Sequence, residues 1–197
     1  MLSIQIICVG KLKEKFYTDA SNEYIKRLSG YCKLNIYEIP EYRVPAGSGG
    51  GGVGNSEFGT RNSGFKGDSI DNRQRLNGAS RKLRRPDSQI ALALDKERAA
   101  IEERIPDGAV CIALCVEGCE MDSRGLSGFL SDCGMRGSSR LCFIIGGSYG
   151  LHENIKNKAD IKLSMSKMTF PHNLARVMLL EQLYRAFKII EGGKYHK

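Results

Sequence analysis

Arg140-Leu141-Cys142-Phe143-Ile144-Ile145 runs straight into Gly146-Gly147-Ser148-Tyr149-Gly150-Leu151. The first six residues, apolar after Arg140, predict a strand that ends on the glycines. What flanks it decides the sheet. Upstream, the turn Pro106-Asp107-Gly108 leads into a second apolar run at 109–116, and residues 123–135 repeat at helical spacing behind a cap at Asp122 or Ser123. Before that turn, Ile90, Leu92, Leu94 and Ile101 mark a helix from about 87 to 104. Downstream come a short strand at 160–165 and a long helix from about 172 to 190 with a broad apolar face, closed by Gly192-Gly193. At the other end, residues 3–9 form a strand stopped at Gly10, residues 14–28 a helix, and residues 33–40 a strand stopped by Pro40. Strands alternating with helices predict an α/β fold with a mainly parallel sheet flanked by helices.

One stretch breaks the pattern. Residues 47–67 hold nine glycines in 21 positions and few aliphatics, so they bury too little to offset ordering entropy. We expect one domain over 1–197, interrupted by a flexible, basic insertion at about 46–85. That stretch also carries much of the charge: residues 47–86 have eight basic and three acidic side chains, +5 of the net +8. A basic chain points to a polyanion partner, nucleic acid first, although a solvated basic loop accounts for the charge equally well.

Apolar runs under ten residues are too short to span a bilayer, so no membrane is expected. Residues 1–9 lack a basic leader and a cleavage site, which makes a cytoplasmic location the expectation. Seven cysteines, an odd number, read as reduced core thiols. Cys111, Cys115 and Cys119 invite a metal reading. On a strand, however, Cys111 and Cys115 would stand about 13 Å apart, too far to share one zinc with sulfur bonds of about 2.3 Å. No metal is expected.

Ligands of parallel sheets bind outside the C-terminal strand ends. Three loops qualify: Glu117-Gly118, the glycine turn at 146–151, and residues 164–172. The glycine turn has neither the GxGxxG spacing of a dinucleotide site nor the Lys-Ser/Thr of a P-loop. The first strand, where a dinucleotide fingerprint would sit, ends in Val9-Gly10-Lys11-Leu12, which weighs against hydride transfer. Glu38 and Glu41 could still mimic a ribose-binding acid. A side chain at Gly146 is expected to occupy ligand space and to strain the backbone.

Five motifs in fixed order then carry a resemblance. They are Val9-Gly10-Lys11-Leu12-Lys13-Glu14-Lys15, the stretch Ile144-Ile145-Gly146-Gly147-Ser148-Tyr149-Gly150-Leu151-His152, Met165-Ser166-Lys167-Met168-Thr169-Phe170-Pro171-His172, Glu181-Gln182-Leu183-Tyr184-Arg185-Ala186, and Tyr195-His196-Lys197. Together they closely resemble the bacterial 23S rRNA pseudouridine-N3 methyltransferases of the SPOUT class, over all of the chain except about 46–85. The resemblance implies a C-terminal trefoil knot, S-adenosylmethionine as methyl donor and no metal. It also implies a homodimer in which the tail of one subunit reaches the donor site of the other, and a substrate that is the large-subunit rRNA in an assembled ribosome. Leu114 would then contact the adenosine, Gly146 would allow close backbone approach, and Met165, Ser166, Lys167, Met168, Thr169 and Phe170 would wrap the donor.

Transfer to N3 needs loss of the imide proton as the methyl group arrives, so a base or a polarising hydrogen bond beside N3 would help. The polar candidates are His172, Glu181, Arg185, Tyr195, His196 and Lys197. Glu181 and Arg185 are also spaced as an ordinary helical ion pair, and His152 reads as structural. The apolar face of the last helix suits a partner subunit, but an intrachain core helix would look the same. The competing functions are a nucleotide-binding α/β oxidoreductase, disfavoured by the first strand, and a catalytically silent RNA-binding homologue, disfavoured by the intact donor loop and tail.

Overall fold

A computed structural model describes residues 1–42 and 88–193. The expected insertion and the tail at 195–197 lie outside the described residues. Five strands form one sheet in the order β2-β1-β4-β3-β5, every pair parallel. They are β1 Leu2–Val9, β2 Cys32–Ile39, β3 Val110–Glu120, β4 Arg140–Ile145 and β5 Ile161–Ser164. The central strands β1 and β4 are apolar on both faces because helices cover both. Ile4, Ile6 and Cys8 of β1, with Leu141, Phe143 and Ile145 of β4, point into one core. There they meet α1 (Lys15–Leu28), α3 (Ser123–Met135) and α5 (His172–Ile190). The alternate residues Ile7, Val9, Cys142 and Ile144 point the other way, onto Ile101 of α2 (Ser88–Glu102) and Ile155 of α4 (Glu153–Lys158). This is the period-2 side-chain alternation of a strand, used on both sides.

The sequence expectation of a mainly parallel α/β sheet is met, with local differences. Helix α4 was not foreseen. It has six residues and buries only Ile155, so it leaves no periodic signal; its start is set by His152, whose Nδ1 accepts from the Asn154 N–H at 3.0 Å. β3 is longer than 109–116. It pairs with β5 up to Leu114, leaves the ladder, and pairs again at Cys119 and Glu120. Gly118 allows this, because a Cβ there would lie 2.6 Å from the Lys162 backbone. The excursion also corrects the reading of all cysteines as core thiols, since Cys119 is exposed. Asp122 caps α3 as expected, accepting from the Gly125 N–H at 2.6 Å.

Helix α5 lies between α1 and α3 and buries Arg176, Leu179, Leu180, Leu183, Ala186 and Phe187. The apolar face read from the sequence therefore serves the chain's own core first. Leu174, Val177 and Met178 stay half-buried, and Ile190 is exposed. Among the described residues no helix is long and apolar enough to cross a membrane.

Candidate active site

The C-terminal ends of β3, β4 and β5 open onto one cavity of about 1180 Å³. Its apolar walls come from the strand ends Leu114, Ile145 and Leu163 and from Met165 and Phe170. The glycine turn at 146–151 and the loop at 164–171 supply the rest of the wall, and His172 and Ala175 at the start of α5 close one side.

Both loops are braced by polar groups, the first by Glu41 from outside it and the second by its own serines. Glu41, just past β2, accepts from the N–H of Ser148 at 3.0 Å and from its hydroxyl. The Gly150 N–H closes the turn onto the Gly147 carbonyl at 3.0 Å. In the second loop the Ser164 hydroxyl donates to the Ser166 carbonyl, and the Ser166 hydroxyl accepts from the Met168 N–H at 3.1 Å. Of the two reasons expected for Gly146, backbone strain does not apply, and a close approach within its own turn does. Its φ is not in the left-handed region, so backbone strain is not the issue. A Cβ would lie 2.4 Å from the carbonyl carbon and oxygen of Gly150 and 2.9 Å from the Leu151 nitrogen. The glycine lets the turn fold back on its own strand, and so shapes the cavity wall.

One edge of the cavity is charged. Lys156 of α4, largely buried, reaches Glu117 at 2.6 Å and Glu153 at 2.5 Å. The hydrogen bond from Lys156 holds the Glu117 carboxyl below its usual range. His152, also on this edge, uses Nδ1 in the α4 cap and has Nε2 3.5 Å from Asp95, in agreement with a structural role.

Behind His172, outside the cavity lining, a second polar cluster is built around Arg176. This side chain is 4% exposed, donates to Glu38 at 2.7 Å and to the Gly10 carbonyl at 3.2 Å. Gly10 has φ +91°, and a Cβ on it would lie 2.9 Å from Nε2 of His172. The end of β1 is thus filled by the His172 ring and by Arg176, which leaves Glu38 engaged with a guanidinium. Glu38 does not act as a free ribose-binding acid. Arg176 escaped the sequence reading. Its only signal was a charge on the apolar side of α5, one turn after His172.

The family model described as "Predicted SPOUT methyltransferase" matches residues 2–53 and 54–196. The chain belongs to the SPOUT methyltransferases. Among curated relatives, "Ribosomal RNA large subunit methyltransferase H" of Clostridium botulinum (strain Eklund 17B / Type B) is 41% identical over 196 residues, covering all of both chains. "Ribosomal RNA large subunit methyltransferase H 1" of Clostridium perfringens (strain SM101 / Type A) is 39% identical with the same coverage. A solved structure of a probable methylase family protein from Haemophilus influenzae Rd KW20 shares the fold at TM-score 0.50 and 13% identity, over 100% of this chain and 72% of that one.

In this SPOUT chain Leu114, Gly146, Met165, Ser166, Met168, Thr169, Phe170 and His172 all line the cavity. Lys167 belongs to the same loop but is exposed beside it. Glu181 and Arg185 do not line it. They form an ion pair at 2.5 Å on α5, and at about 1.5 Å per residue they sit roughly 13 and 20 Å along the helix from His172. Tyr195, His196 and Lys197 lie outside the described residues. The residues missed by the sequence reading are Arg176, Lys156 and the role of Glu41 beneath Ser148. Among the described residues no three His, Cys, Asp or Glu side chains converge as a metal site.

Proposed function

We propose that the chain is a cytoplasmic enzyme that transfers a methyl group from S-adenosylmethionine to N3 of a pseudouridine in 23S rRNA of the large subunit, on assembled ribosomes. The observation that carries this reading is the cavity at the C-terminal ends of β3, β4 and β5, apolar inside, charged at one edge and flanked by His172. Those walls fit the donor. Leu114, Met165 and Phe170 offer apolar faces to a purine, and backbone groups of the two loops can read its edge. Lys156 and Glu117 offer opposite charges to an amino-acid end. When bound, the donor would supply an electrophilic methyl on a sulfonium, for transfer to N3 with the C–S electron pair left on sulfur.

This chain's residues have two tasks: to orient the base and to take the N3 proton. His172 sits at the cavity edge with its ring fixed against Gly10, a position suited to meeting the base. Glu181 and Arg185 are too far along α5 to serve the cavity of their own chain, which supports a homodimer in which they and Tyr195, His196 and Lys197 complete the neighbour's site. The half-buried Leu174, Val177 and Met178 of α5 suit that contact. The excursion of β3 around residues 115–118, beside the two donor loops, supports the knotted C-terminal arrangement of the class. We further take 1–197 as one domain whose insertion at about 46–85 serves as an auxiliary RNA tether. The oxidoreductase alternative is weakened because the end of β1 is filled by His172 and Arg176.

The test is methyl transfer to ribosomes from cells lacking this modification, with wild type and a chain lacking residues 195–197. The truncated chain should bind S-adenosylmethionine and dimerise near-normally, yet lose most of its transfer activity. Wild-type turnover by that variant would remove the tail from the mechanism, and NAD binding in place of S-adenosylmethionine would sink the whole reading.

A further inference from the structure

The motif Gly10-Lys11-Leu12-Lys13-Glu14-Lys15 lies outside the donor cavity, and the proposed transfer leaves it without a role. Its lysines are all exposed, and among the described residues Lys11, Lys13 and Lys15 enter no ion pair. One acid stands among them, Glu14, which accepts from the Asn173 amide at 3.3 Å and keeps its charge, so residues 10–16 carry a net +2; Asp19 lies a turn further on. Next to Lys15 stands Phe16, 63% exposed, its ring 4.2 Å from that of Tyr17. Apart from its contact with Tyr17, the Phe16 ring is open to solvent, so one face is available to a stacking partner.

The segment is anchored, not trailing. The Leu12 N–H donates to Glu38 at 3.4 Å, and Arg176 ties Glu38 and the Gly10 carbonyl together. Gly10 itself packs against His172, which lines the cavity. The loop at 164–171, which leads into His172, presents exposed Lys167. The segments that adjoin His172, one by packing and one along the chain, thus both carry exposed lysines.

We propose that Lys11, Lys13, Lys15 and Phe16 form the docking surface for RNA next to the target nucleotide: the lysines meet backbone phosphates, and Phe16 stacks on one unpaired base. This rests on the proposed RNA methylation. Ammonium groups on a polyanion release counterions and so favour binding, and stacking on an aromatic face tolerates any base. A second copy of the chain fits this surface less well, because covering three unpaired ammonium groups with protein costs their hydration.

The experiment uses the full chain and ribosomes lacking the modification, with co-sedimentation across a potassium chloride series. Changing Lys11, Lys13 and Lys15 together to Ala should flatten the log–log salt slope by about two to three units, whereas the triple Arg variant should keep it. Phe16→Leu should weaken binding about tenfold at every salt concentration without changing the slope. S-adenosylmethionine affinity and melting temperature should match wild type in all three. A wild-type slope in the triple Ala variant overturns the proposal. So does a loss of dimer by sedimentation velocity with the slope intact, which would assign the surface to a second copy. If wild type itself neither binds nor methylates ribosomes, the RNA reading fails before any variant is compared.

Discussion

Replacing Gly146 by Ala adds one methyl group where the glycine turn folds back on β4. The added carbon would lie 2.4 Å from the carbonyl carbon and oxygen of Gly150 and 2.9 Å from the Leu151 nitrogen. Carbon contacts settle at about 3.5–4.0 Å, so the 150–151 peptide must retreat by roughly 1 Å. It has little room to do so. Leu151 is buried in the core beneath α2 and α4, and the next residue, His152, caps α4. Overpacking of this kind costs about 1–3 kcal/mol, which for a chain of this size lowers the melting temperature by roughly 3–10 °C. The same 1 Å displacement moves the cavity wall, and misplacement on that scale can cost about 100-fold in activity. Gly128→Ala is the matched control. It adds the same methyl to exposed α3, where nothing lies within 4 Å, and should stabilise by about 0.5–1 kcal/mol through helix propensity. Thermal denaturation and calorimetry with S-adenosylmethionine are run on both. A Gly146→Ala protein with wild-type melting and wild-type donor affinity would refute the close-approach reasoning for this turn.

Other substitutions test the buried charged groups of the fold. Arg176→Met should destabilise by about 3 kcal/mol, the low end for a broken buried pair because Glu38 is one-third exposed; chemical denaturation reads the loss, and an unchanged midpoint would mean that Arg176 braces nothing. Glu97 of α2 is buried, accepts from the Tyr42 N–H at 2.9 Å, and has its carboxyl pushed above the usual range by burial. The folded state thus holds this proton more tightly than the unfolded chain does, so its contribution is complete at acid pH and declines as pH rises through the raised value. Glu97→Gln should therefore gain in melting temperature relative to wild type as pH is raised from about 4 to 7; a difference independent of pH would contradict this.

The strands were legible because each is a short apolar run stopped by Gly or Pro, and the long helices because their apolar residues repeat at helical spacing. Alternating strands and helices then required crossovers, and hence parallel pairing. The parts that were not legible share a physical feature: they depend on atoms brought together from distant positions. Six-residue α4 is held by His152 and one buried side chain, which leaves no period to detect. The excursion of β3 depends on Gly118 passing the Lys162 backbone, a contact between segments 44 residues apart.

The candidate site divides along the same line. Gly146 and residues 165–170 could be named from motifs because each motif is a continuous loop at a strand end, whereas Leu114, on β3, came only from the family resemblance. Arg176 could not, because its function is to join Gly10 and Glu38, from two other strands, to the helix that carries His172. A guanidinium on the apolar side of α5 would be costly unless acceptors converged on it, and only the fold supplies them. The charge that looked misplaced in sequence is what fixes the end of β1 against His172. A polar residue at a core position of a predicted helix is therefore best treated as a pointer to a tertiary contact, and in this chain that contact holds the end of β1 beside His172, which lines the cavity.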